Sequence, residues 1–151
     1  MLLDCYRRYV GDLESVPEVN VYGGAALTVG GLLLALAGWI GFLVNELGEH
    51  GTPGFYATRE LAIAAAGLGV AALLLGVVTL LVGTARTTAL AGVGVGVCVA
   101  AVLFFVAMYP NQWDAPSQFN APIGVSLYGL GLLTATFAAG AAYSCQVADA
   151  V

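Results

Sequence analysis

Long apolar runs alternate with short polar segments along the chain, at residues 21–44, 61–82, 88–108 and 122–145. None of the four contains Asp, Glu, Lys, Arg or His. A helix needs about 20 apolar residues to cross the hydrocarbon of a bilayer, and every run meets that length. In lipid each backbone N–H and C=O must find its partner inside the protein, so only helices and closed barrels span. Barrel strands alternate apolar and polar residues, and these runs do not. The pattern predicts an all-α fold of four antiparallel transmembrane helices.

The run ends carry helix punctuation. Thr58 before Arg59, Glu60 and Leu61 is positioned to cap the second helix, with Glu60 near the positive end of its dipole. Thr87 or Thr88 serves the third, Pro110 stops it, and Asn120 caps the fourth with Pro122 in its first turn. The 83–87 connection is short, so the second and third helices are antiparallel neighbours. Ahead of the first span, Leu2, Tyr6, Tyr9 and Leu13 recur at helical spacing, and Asp4, Arg7, Arg8 and Asp12 occupy other faces. Residues 1–20 therefore read as a short amphipathic helix on the inner leaflet, with Arg7 and Arg8 against lipid headgroups. Residues 21–145 form the membrane domain, and 146–151 a short cytoplasmic end.

Orientation follows the arginines. Arg7, Arg8 and Arg86 fall on one side and Arg59 on the other, and the side richer in Arg is expected in the cytoplasm. Both termini are then cytoplasmic in the cell membrane. Trp39, Phe42, Phe104, Phe105, Tyr109 and Trp113 gather near the opposite ends, and Tyr22 and Tyr143 near the inner ones, as interfacial aromatics do.

Composition sharpens this picture. Hydrophobic residues make up 60% of the 151 and charged residues 9%, against about 25% charged in a soluble domain. The net charge is −5 and Lys is absent. An acidic, Lys-free exterior suits a salt-loving archaeal source, where salt screens carboxylate repulsion. No cleavable secretory signal opens the chain, so the first run stays as a span. Cys5, Cys98 and Cys145 show no CxxC spacing and read as free thiols, with Cys98 a small apolar filler in mid-span.

Candidate chemistry is thin. There is no GxSxG, HExxH or P-loop, no basic patch for nucleic acid, and no ionisable group inside a span to carry protons or ions. The chain reads as a non-enzyme without a cofactor. His50 with Glu46 and Glu49 makes a weak metal candidate in the first outer loop. Tyr128, Thr134 and Thr136 form the densest hydroxyl group in a span, the place to look for a pore; interhelical hydrogen bonds are the plainer reading. Small residues dominate the helices. Ala62, Gly69, Gly76 and Gly83 repeat every seven residues on the second. Thr88, Gly92, Gly96 and Ala100 repeat every four on the third, Gly131, Ala135 and Ala139 on the fourth, and Ala26, Gly30, Leu34 and Gly38 nearly so on the first. Such stripes let helix backbones approach, within one bundle, between copies, or both.

Tyr9-Val10-Gly11-Asp12, Arg59-Glu60-Leu61 and Tyr109-Pro110-Asn111-Gln112-Trp113 resemble a group of four-span membrane proteins of haloarchaea, over nearly the whole chain. No activity is attached to that group. The resemblance implies a source, a membrane location, and a polar cytoplasmic tail following Val151 in a longer protein. The function expected is a scaffold or accessory subunit that packs against itself or other membrane subunits in the bilayer. The alternative is an oligomeric channel or transporter for a small solute or ion.

Overall fold

The computed structural model describes residues 18–48, 50–81, 85–113 and 119–149, with side chains from 21 to 144 within those ranges except Ala85. The described residues form four helices: α1 (Glu18–Asn45), α2 (Pro53–Leu80), α3 (Ala85–Met108) and α4 (Asn120–Asp149). Each is long and apolar enough to cross a membrane. The proposed interfacial helix with Arg7 and Arg8 lies outside the described residues, as do Gly83 and Glu49.

The helices run beyond the apolar runs. At 28 residues, α2 is about 42 Å long, against a hydrocarbon core of about 30 Å. It starts at Pro53, with Thr52 as N-cap accepting from the Phe55 N–H at 3.2 Å. Thr58 is thus a residue of the helix interior and not its cap. The apolar run marks where hydrocarbon begins, whereas Thr52 with Pro53 at the first position marks where the backbone starts to coil. Thr87 and Thr88 likewise fall inside α3, which begins at Ala85.

The connections after α1 and after α3 share one end of the molecule, called distal here, opposite the start of α1 and the end of α4. Helix α1 lies almost wholly on α2, while α3 and α4 form a second pair that packs on α2. Alanine dominates the buried residues, at Ala35, Ala62, Ala71, Ala91, Ala101, Ala135, Ala138 and Ala142, with Val21, Val78, Val102, Cys98, Phe55 and Phe105 buried beside them. Large side chains such as Leu33, Leu61, Leu133 and Phe137 point outward. That inside-out arrangement suits a lipid solvent, in which Leu gains nothing by burial and close backbone packing drives association.

Candidate functional site

Two glycine-lined seams hold the bundle. On α1, Gly24, Gly31 and Gly38 face Gly76, Gly69 and Ala62 of α2 in antiparallel register. A Cβ added at Gly69 would meet the Ala35 backbone N and come within 2.7 Å of the Gly31 carbonyl. One added at Gly38 would sit 2.6 Å from the Ala62 carbonyl. Backbone stands against backbone here, and no rotamer change relieves it. Both stripes repeat every seven residues, so the contact stays in register along the membrane, as in left-handed packing. Thr28 and Thr79 border this seam and donate to Gly24 O and Gly76 O, both at 2.8 Å.

The second seam joins α3 and α4. Gly94 approaches Gly131 and Ala135, and a Cβ on Gly131 would lie 2.6 Å from Cys98 Sγ. Ala91, Cys98, Ala135, Ala138 and Ala142 are fully buried along it. Its α4 face is Gly124, Tyr128, Gly131, Ala135, Ala138 and Ala142, alternating steps of four and three.

The seven-residue stripe read from the sequence on α2 lies in the α1–α2 seam at Ala62, Gly69 and Gly76, and Gly131 and Ala135 lie in the α3–α4 seam. Gly92 and Gly96 do not enter the bundle. Nothing lies within 4 Å of a Cβ at either, and both are exposed. Ala26, Gly30 and Leu34 of α1 are also exposed. A strict four-residue repeat drifts around a helix relative to a left-handed seam, whereas three-and-four alternation stays on it. Gly24, Gly31 and Gly94 escaped the sequence reading for that reason, and Cys98 was read as a mid-span filler without a seam assigned to it. The signal was present: Gly24, Gly31 and Gly38 share the period of Gly69 and Gly76.

The hydroxyls separate into two kinds. Tyr128 reaches across to α2, its OH donating to Gly67 O at 2.8 Å. That carbonyl has a second lone pair beyond the one its own helix uses. Cys98 Sγ points at Tyr128 O at 3.7 Å, a weak thiol contact. Thr134 and Thr136 instead donate to Leu130 O and Leu132 O of their own helix, at 2.8 and 2.7 Å. They border a surface hollow with Leu90, Leu133 and Phe137, away from Tyr128. The three hydroxyls therefore share no common lining.

The distal end is closed by polar and aromatic contacts. Arg59 Nη1 lies 3.4 Å from Glu46 Oε1, and His50 Nε2 lies 3.6 Å from Glu46 Oε2. The Arg59 guanidinium stands over the rings of Phe42 and Phe55, at 5.2 and 5.7 Å. Asn45 Nδ2 donates to Phe55 O at 3.2 Å. Glu46 thus ties the end of α1 to the start of α2. Among the described residues no group of three or more His, Cys, Asp or Glu is placed to hold a metal ion. From Phe55 a line of rings continues through Tyr56, Tyr109 and Phe105 to Trp113, with centroids 4.9 to 6.3 Å apart. Trp113 then covers Gly124 of α4.

Four apolar spans, small-residue seams and an aromatic distal belt define the class: a multi-pass helical membrane protein. Residues 1–148 match the family model described as cell division protein A, N-terminal domain. The chain belongs to that family. No curated protein and no solved structure shows a match.

Proposed function

We propose that this chain is a non-enzymatic, membrane-embedded scaffold or accessory module of the cell-division machinery, acting through helix packing against copies of itself or other membrane subunits. The observation that carries this reading is the family match, which extends across all four helices. The packing supports it: the bundle encloses its own seams and leaves Gly92, Gly96 and Ala100 of α3 facing outward, where another helix can approach. Of the hydroxyls that motivated a channel, Thr134 and Thr136 are bonded to their own helix and Tyr128 to Gly67 O of α2. We further propose cytoplasmic termini, from the arginine distribution, and a salt-loving archaeal source, from the acidic Lys-free composition.

The test is to follow a fluorescent fusion of the full-length protein through the division cycle in its own cells, and to deplete the protein. A band at the division plane and filamentous or misdivided cells on depletion are expected. Even spread over the membrane at every stage, with normal division after depletion, would contradict the proposal.

A further inference from the structure

The Tyr128–Gly67 hydrogen bond joins α4 to α2, and two hollows open beside it toward the distal end. One, of about 390 Å³, is walled by Trp39 and Phe42 of α1, Ala66 of α2 and Tyr128. The other, of about 310 Å³, lies under Trp113, against Val102, Phe105, Gly124 and Val125. They share Ile63, Gly67 and Tyr128, so they adjoin as one cleft. No charged residue lines it, and the Tyr128 hydroxyl is already engaged by Gly67.

Size decides between occupants. One turn of a helix about 10 Å across and 5.4 Å long fills roughly 400 Å³. The larger hollow matches a single turn and the smaller less than one, so the cleft does not take the several turns that a partner helix would lay along it. At about 30 Å³ for a water-sized group, the larger hollow has room for about a dozen such groups, the bulk of a hydrocarbon chain.

Charge selects the headgroup. Arg59 lies one turn distal to Ile63 on the same face of α2, and its guanidinium stands 5.2 Å over Phe42, which is itself a wall of the cleft. Glu46 contacts one edge of the guanidinium, at 3.4 Å through Nη1. The fork has five N–H donors, a geometry suited to phosphate. Because α2 exceeds the hydrocarbon thickness by about 12 Å, its first turns stand in the headgroup layer.

We propose that this cleft is a binding site for a membrane phospholipid, with one hydrocarbon chain seated against Ile63, Gly67 and Tyr128 and the phosphate at Arg59. The lipid fills the space between α1 and α4, which do not otherwise pack on each other, and so completes the distal half of the bundle. This inference rests on the spans lying in a bilayer and is independent of the division role.

Residues 1–151 supply their own probes, since Trp39 and Trp113 are the two tryptophans among them and each lines one hollow. A Trp39→Phe variant of residues 1–151, which hold all four helices, leaves Trp113 as its one tryptophan. It is placed in phosphate-free galactolipid vesicles holding a minor share of chain-brominated phosphatidylglycerol. The proposal expects Trp113 quenching about twofold or more above what the mole fraction of brominated lipid supplies. Ile63→Phe, or Val125→Phe should the first disturb folding, fills the cleft and removes that excess. Arg59→Gln removes it for phosphatidylglycerol and leaves quenching by a brominated galactolipid unchanged. Quenching that only tracks mole fraction, or that ignores the filling variants, would overturn the proposal. Protection of Trp113 that grows with protein-to-lipid ratio would assign the cleft to a second copy and overturn it as well.

Discussion

Gly69 and Gly92 look alike in the sequence, each a glycine in a small-residue stripe, yet the fold gives them opposite surroundings. A methyl group at Gly69 collides with the Ala35 backbone, and one at Gly92 meets open space. Gly69→Ala should therefore force α1 off α2 and lower stability by about 1–3 kcal/mol, the range for overpacking a tight site. Gly92→Ala should stay within about 0.5 kcal/mol of the parent. Unfolding of the two variants in mixed detergent micelles separates these outcomes, and equal effects would undo the register described here. Tyr128 makes a different kind of contact, a single hydrogen bond between α4 and α2. Interhelical bonds of this type in membranes average about 0.6 kcal/mol and reach about 1.7. Tyr128→Phe keeps the ring that lines the cleft, so a loss within that range is expected in the same assay. Thr136→Val, which removes only a bond to its own helix, should cost less.

The helices themselves were legible because charge-free length is an unambiguous signal in lipid, and all four were placed by it. Their starts were not. The sequence reading put the cap of α2 at Thr58, where the apolar run begins, while the helix starts at Pro53 with Thr52 as its cap. Hydropathy reports depth in the bilayer, and capping chemistry reports backbone geometry; at α2 the two differ by more than a turn. Thr52→Ala should accordingly lower stability by about 1 kcal/mol, with Thr58→Ala nearly silent, as thermal unfolding of the two would show. Pairing was half legible. The seven-residue series on α2 was visible, and its partner Gly24, Gly31 and Gly38 on α1 has the same period. On α3 the eye goes to the GxxxG at Gly92, but the seam uses Ala91, Gly94 and Cys98 instead. Sequence periodicity names the small faces of a helix without saying which one meets the rest of the chain. Tyr128 was marked for its hydroxyl, yet its partner, a backbone carbonyl at Gly67, has no sequence signature.

For the molecule as a whole, α1 and the α3–α4 pair close on α2 and leave the Gly92–Gly96 face of α3 turned outward. The net charge of −5 adds a condition: repulsion among carboxylates is screened as ionic strength rises, because the Debye length shrinks to about 3 Å at molar salt. Thermal stability in detergent should therefore increase from dilute buffer to molar potassium chloride; a flat or falling curve would speak against a salt-loving source. The central claim is that the chain works through association in the membrane. The direct measurement is the native mass of the protein extracted gently from its own membrane, comparing wild type with a Gly92→Leu, Gly96→Leu double variant. Neither substitution touches the bundle interior, so helix content should be unchanged in both. The account predicts that wild type runs as an assembly well above the mass of a single chain and that the variant falls to smaller species. A lone wild-type monomer, or an assembly of identical mass in both, would contradict it.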